Sequence, residues 1–73
     1  MFALIKPKDV WITKHAADKM VIEGITIQQI CDAVEQGSRF NQTDGYLSVY
    51  TYFSVAWKRA GPWYKLKTVY LNK

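Results

Sequence analysis

At Gly37 the hydrophobic period of this chain changes, and that change constrains the fold more than any other feature. Before it, apolar residues recur at helical spacing. Ile27, Ile30, Cys31 and Val34 follow the i, i+3, i+4, i+7 pattern of a core-facing helical stripe. Thr26 and Gln29 form a capping box, Ile25 and Ile30 a hydrophobic staple, and Gly37 ends the helix. An earlier helix is expected over residues 14–23, capped by Thr13 and closed by Gly24, where helices turn left-handed. It carries a narrow stripe of Ala16, Met20 and Glu23, with Ala17 and Val21 beside it. Only Gly24 and Ile25 separate the two, so they form a compact helical pair.

Beyond Gly37 the pattern is that of strands. Residues 39–42 form a short one, and Thr43-Asp44-Gly45 carries the Asp-Gly signal of a hairpin. Residues 46–57 alternate without interruption and read as one long strand. Leu47, Val49, Thr51, Phe53, Val55 and Trp57 form its expected core face; Tyr46, Ser48, Tyr50, Tyr52, Ser54 and Ala56 form the other. Residues 58–62 turn around Ala60-Gly61-Pro62, and residues 63–71 form the last strand. There Lys65 and Lys67 share a face that Val69 and Leu71 continue, while Leu66 and Thr68 look the other way. A bulge or a late strand end reconciles this conflict, and the pattern does not choose between them. With a short strand over residues 8–12, the expected order is β-α-α-β-β-β. This is an α+β domain over residues 1–73, with two helices packed on one face of an antiparallel sheet.

Composition narrows the function classes. The chain has 73 residues, of which 49% are hydrophobic, so it folds around one thin core and leaves no room for a deep, two-walled enzyme cleft. No stretch approaches the roughly 20 apolar residues of a membrane-spanning helix. The opening apolar run ends at Lys6-Pro7 without a basic leader or a small-residue cleavage site, so the expected location is cytoplasmic. The lone Cys31 lies on the apolar face of the second helix and reads as a small buried hydrophobe. One cysteine and one histidine do not make a zinc site, so no cofactor or metal is implied.

Charge is unevenly spread. Residues 1–37 hold four lysines against five carboxylates, whereas residues 38–73 hold six cations against Asp44 alone. The cationic half also carries most of the aromatic residues, among them Phe40, Tyr46, Tyr50, Tyr52, Trp57, Trp63, Tyr64 and Tyr70. Cations interleaved with rings suit RNA, because phosphates pair with Lys and Arg while unstacked bases lie on aromatic faces. The same pattern also describes a solvated strand face over an aromatic core.

A resemblance sharpens this reading. Thr13, His15-Ala16, Met20, Gly24-Ile25, Thr26 and Ile30 match, in identity and spacing, the opening of the DUF4258 family, and Thr68-Val69-Tyr70-Leu71 is similar to its closing strand. The likeness covers about 60 residues in element order. Lys19 and Glu23 stand where that pattern usually has arginines, the second with its charge reversed. The family in turn resembles RelE/BrnT-like toxins of toxin–antitoxin pairs. Those are small α+β ribonucleases that cleave mRNA, in some cases on the ribosome.

The resemblance implies a metal-independent RNA endonuclease with RNA, including ribosome-bound mRNA, as substrate and an antitoxin as protein partner. His15 is the one side chain that ordinarily titrates near neutral pH, which makes it the candidate acid or base. By resemblance, Tyr70 is the candidate phenol. Lys14, Lys19, Arg39, Lys58, Arg59, Tyr64, Lys65 and Lys67 are the candidate RNA contacts. His15 equally suits a structural role, capping its helix or bonding a strand carbonyl. The second function class is a non-catalytic RNA- or protein-binding module of the same fold. Exposed aromatics on so small a domain also favour a homodimer, and no membrane association is implied.

Overall fold

The computed structural model describes residues 5–72. A 3-10 turn over Pro7–Asp9 leads into β1 (Val10–Ile12), α1 (Lys14–Glu23), α2 (Ile27–Gln36), β2 (Ser38–Gln42), β3 (Gly45–Tyr50), β4 (Phe53–Ala60) and β5 (Trp63–Leu71). The strands form one sheet in the order β1-β5-β4-β3-β2. α1 lies against β5, and α2 against β3 and β4, so both helices cover the same face. The α+β class and the helix placement agree with the sequence. The strand count and the pairing need correction: among the described residues there are five strands, and the sheet is mixed, because β1 runs parallel to β5.

The extra strand comes from the long alternating run. Thr51 and Tyr52 fold it back on itself, with Thr51 at φ 41°. Glycine, proline and asparagine are all absent from this turn, so nothing local announces it. It is held from outside instead. Gln29 Nε2 donates to Tyr52 Oη at 3.1 Å, and the Asn72 backbone N–H donates to Tyr52 O at 2.8 Å. Because the turn has two residues, Tyr50 sits opposite Phe53. Tyr46, Ser48 and Tyr50 therefore join Phe53, Val55 and Trp57 on the helix side. The expected core face is correct for β4 and inverted for β3, where Leu47 and Val49 face away from the helices. Ser48 is fully buried in the place of a hydrophobe, and its Oγ accepts a 2.9 Å hydrogen bond from Trp57 Nε1.

The parity conflict in β5 is resolved by a bulge. Ala56 pairs with Thr68 but Trp57 pairs with Leu66, so Lys67 is an extra residue. Tyr64 and Leu66 before the bulge, and Val69 after it, all face the helices. Lys65, Thr68 and Tyr70 face the open side.

The helix signals hold. Thr13 Oγ1 accepts from the Ala16 N–H and donates to Leu66 O at 2.8 Å, so the cap also ties α1 to β5. Thr26 and Gln29 cap reciprocally, and Gly24 ends α1 at φ 71°. α2 buries Ile30, Cys31, Ala33 and Val34; α1 buries only Ala16 completely, and Val21 is exposed.

Gly37 is required for space rather than for backbone freedom. A Cβ there would lie 2.6 Å from Ala33 O and 2.9 Å from Val49 O. Gly37→Ala should therefore lower stability by about 1–3 kcal/mol in urea titration, since backbone on two sides has to move. Cys31 is almost wholly buried, and burial, followed by the nearby Asp32 and Asp9 charges, pushes its thiol above the ordinary range. Its thiol should react with an aromatic disulfide reagent at a negligible rate at pH 8 and at full rate once urea unfolds the chain.

Candidate nucleic-acid interface

The helix-free face of the sheet has a floor of small residues. Ser54 and Ala56, at its centre on β4, are almost completely covered by their neighbours. Cross-strand rows rise on either side: Val49 and Tyr70 flank Ser54, while Leu47 and Thr68 flank Ala56, with Phe40 beyond Leu47. A third row holds Lys58 and Lys65 directly opposite each other, with Trp11 beside Lys65. Phe40, Trp11, Trp63 and Tyr70 are 44–55% exposed.

The lysines on this face are positioned rather than loose. Lys65 Nζ lies 5.0 Å from the centroid of the Trp11 ring. Lys58 Nζ and Lys67 Nζ both reach Asp44, at 3.4 Å and 3.8 Å from its carboxylate, and Lys67 also donates to Asp44 O at 2.6 Å. At the outer edge of β1, an apolar hollow of about 410 Å³ is lined by Val10, Trp11, Ile12 and Trp63.

A different arrangement lies on the helix side, where β3 starts and β4 ends. Arg39, Tyr46, Trp57, Arg59 and Tyr64 line a cleft of about 200 Å³. Tyr46 packs on Trp57 with centroids 4.8 Å apart, and Tyr64 meets Trp57 edge-on at 5.6 Å. The Arg39 guanidinium lies 5.2 Å from the Trp57 centroid and 5.5 Å from that of Tyr46. The Arg59 guanidinium lies 4.6 Å from the Tyr64 centroid, and donates to Tyr64 Oη and Gly61 O, each at 3.2 Å.

The residues anticipated from sequence thus divide into three groups. Lys58, Lys65, Lys67 and Tyr70 share the open face, and Arg39, Arg59 and Tyr64 share the cleft. Lys14, His15 and Lys19 ride on α1, in the helix layer. Lys14 pairs with Asp18, and Lys19 pairs with Glu23 at 3.3 Å. The His15 side chain is exposed and makes no hydrogen bond among the described residues. It neither caps α1, which Thr13 does, nor shares a face with Tyr70 and the strand lysines.

Trp11 was not singled out from sequence as a site residue, although Val10-Trp11-Ile12 carries the signal of an aromatic pointing outward between two inward residues. Trp57 reads as pure core; its second role needs the hairpin register. Among the described residues, no group of three His, Cys, Asp or Glu could hold a metal ion, and no helix is long and apolar enough to cross a membrane. No family model matches the chain, and neither does any curated protein or solved structure.

The two surfaces differ in their coupling to the core. Asp44→Asn, which breaks two exposed ion pairs, should change stability by less than about 1 kcal/mol. Trp57→Phe, which strips the buried Ser48 hydroxyl of its donor, should cost about 1–3 kcal/mol in the same thermal or urea measurement.

Proposed function

We propose that this domain is an RNA-binding module that takes single-stranded RNA on the open face of its sheet. The observation that carries the reading is the Lys58–Lys65 pair. Like charges directly opposite one another in a sheet are destabilising. Here the cost is only partly offset, by Asp44 on one side and the Trp11 ring on the other. A phosphate backbone lying along that row relieves the repulsion. Trp11, Trp63, Phe40 and Tyr70 offer half-exposed rings for bases, and the hollow between Trp11 and Trp63 gives one base a place to enter.

The endonuclease reading has less support from the arrangement. Cleavage without metal needs an acid and a base at one phosphate, within hydrogen-bond reach of the atoms they serve. His15 belongs to the helix layer and Tyr70 to the opposite side of the sheet, so the sheet itself lies between them. We therefore infer binding without strand scission.

Fluorescence anisotropy with a labelled single-stranded RNA tests this. Log Kd should change with log salt with a slope of magnitude about 2, roughly 0.7 per phosphate of a single strand for each of three lysines. Lys65→Gln should weaken binding and reduce that slope by about 0.7. Trp11→Ala should weaken binding roughly tenfold or more with the slope unchanged. The RNA should stay intact on a gel in the presence of chelator. Strand scission that disappears in His15→Ala would overturn the binding-only reading in favour of the endonuclease.

A further inference from the structure

We propose that the cleft formed by Arg39, Tyr46, Trp57, Arg59 and Tyr64 is a binding site for a phosphomonoester carried on a nucleoside. It is distinct from the open-face RNA surface and stands on its own observations. The first is charge without a counterion. Two guanidiniums line one cleft of about 200 Å³, no carboxylate is among its lining residues, and neither arginine takes part in an ion pair among the described residues. The lysines Lys14, Lys19, Lys58 and Lys67, by contrast, each have a carboxylate partner.

The second observation is preorganisation. Arg39 is laid against Tyr46 and Trp57, and Arg59 is held by a ring and two hydrogen bonds. Stacking fixes the plane of a guanidinium while leaving most of its N–H edge free, and that edge matches phosphate oxygens two at a time. Little side-chain freedom remains to be lost on binding, which favours affinity. The third is size and lining. The cleft is larger than a phosphate group needs, and beside the two guanidiniums its wall offers the half-buried rings of Tyr46 and Tyr64, Trp57 itself being almost wholly buried, against which a sugar or the edge of a base can lie.

The chemistry is shared by a free nucleotide and by the phosphorylated end of an RNA chain, so the test separates them. The Trp57 indole N–H, anchored on Ser48 at 2.9 Å, provides the reporter by NMR. Adenosine 5′-monophosphate should shift that signal saturably, inorganic phosphate should do so more weakly, and adenosine should need at least tenfold higher concentration. If a 5′-phosphorylated oligonucleotide shifts it and a 5′-hydroxyl one does not, the site accepts chain ends. If the monophosphate alone does so, it is a free-nucleotide site; either result supports the proposal.

Arg39→Gln and Arg59→Gln should each weaken monophosphate binding about tenfold or more. Arg39→Lys and Arg59→Lys, which keep charge and length, should recover only part of it, because the fork is lost. No saturable shift with the monophosphate overturns the proposal. So does equal affinity for adenosine, or unchanged binding in glutamine variants whose circular dichroism and melting match the parent.

Discussion

One extra residue in β5 decides what this domain presents to its surroundings. Without a bulge at Lys67, strict alternation would place Val69 and Leu71 on the side of Lys65, and a single strand could not serve both the core and the open face. With it, Leu66 and Val69 are both sealed under the helices, while Lys65 and Lys67 both remain on the far side of the sheet. The cationic row and the hydrophobic core are products of the same local irregularity. β1 completes the arrangement by pairing with β5 ahead of the bulge, which brings Trp11 alongside Lys65.

Among the described residues, the sheet is covered on one face only. The helices bury the side of the sheet carrying Phe53, Val55, Trp57, Leu66 and Val69, and leave the other side to solvent. That open side is not simply polar, as a solvated sheet face usually is. It combines small residues at the centre, half-exposed rings around them, and lysines set against each other across two strands. Of these, the facing lysines carry a modest electrostatic cost in an isolated domain, and the half-exposed rings leave apolar surface in water. The helix-side cleft follows the opposite logic: its cations are stacked on rings of the core periphery and have no carboxylate beside them.

Much of this was legible in the sequence where the signal is local. Thr13, Gly24 and the Thr26–Gln29 pair mark helix ends through their own side chains or backbone, and each does so in the structure. The conflict of parity in β5 was visible, but whether a bulge or a late strand end resolved it was not. The turn at Thr51-Tyr52 was hidden, because a β-branched residue at positive φ runs against local preference and is maintained by Asn72 and Gln29, 21 and 23 residues away from the groups they bond. Missing that turn inverted one face of β3 and concealed how Arg39, Tyr46 and Trp57 come together. The separation of His15 from Tyr70 and the strand lysines was equally out of reach, since it depends on which face the helices cover.

The central claim is that RNA lies on the helix-free face of the sheet. Its most direct test is an NMR titration of the protein with a single-stranded RNA lacking terminal phosphates, following backbone amides and tryptophan indoles together. The account predicts saturable shifts centred on Trp11, Trp63, Lys58, Lys65, Lys67 and Tyr70, with His15 and the rest of α1 unmoved. Shifts centred on His15 and α1, or confined to Arg39, Tyr46, Arg59 and Tyr64, would contradict it.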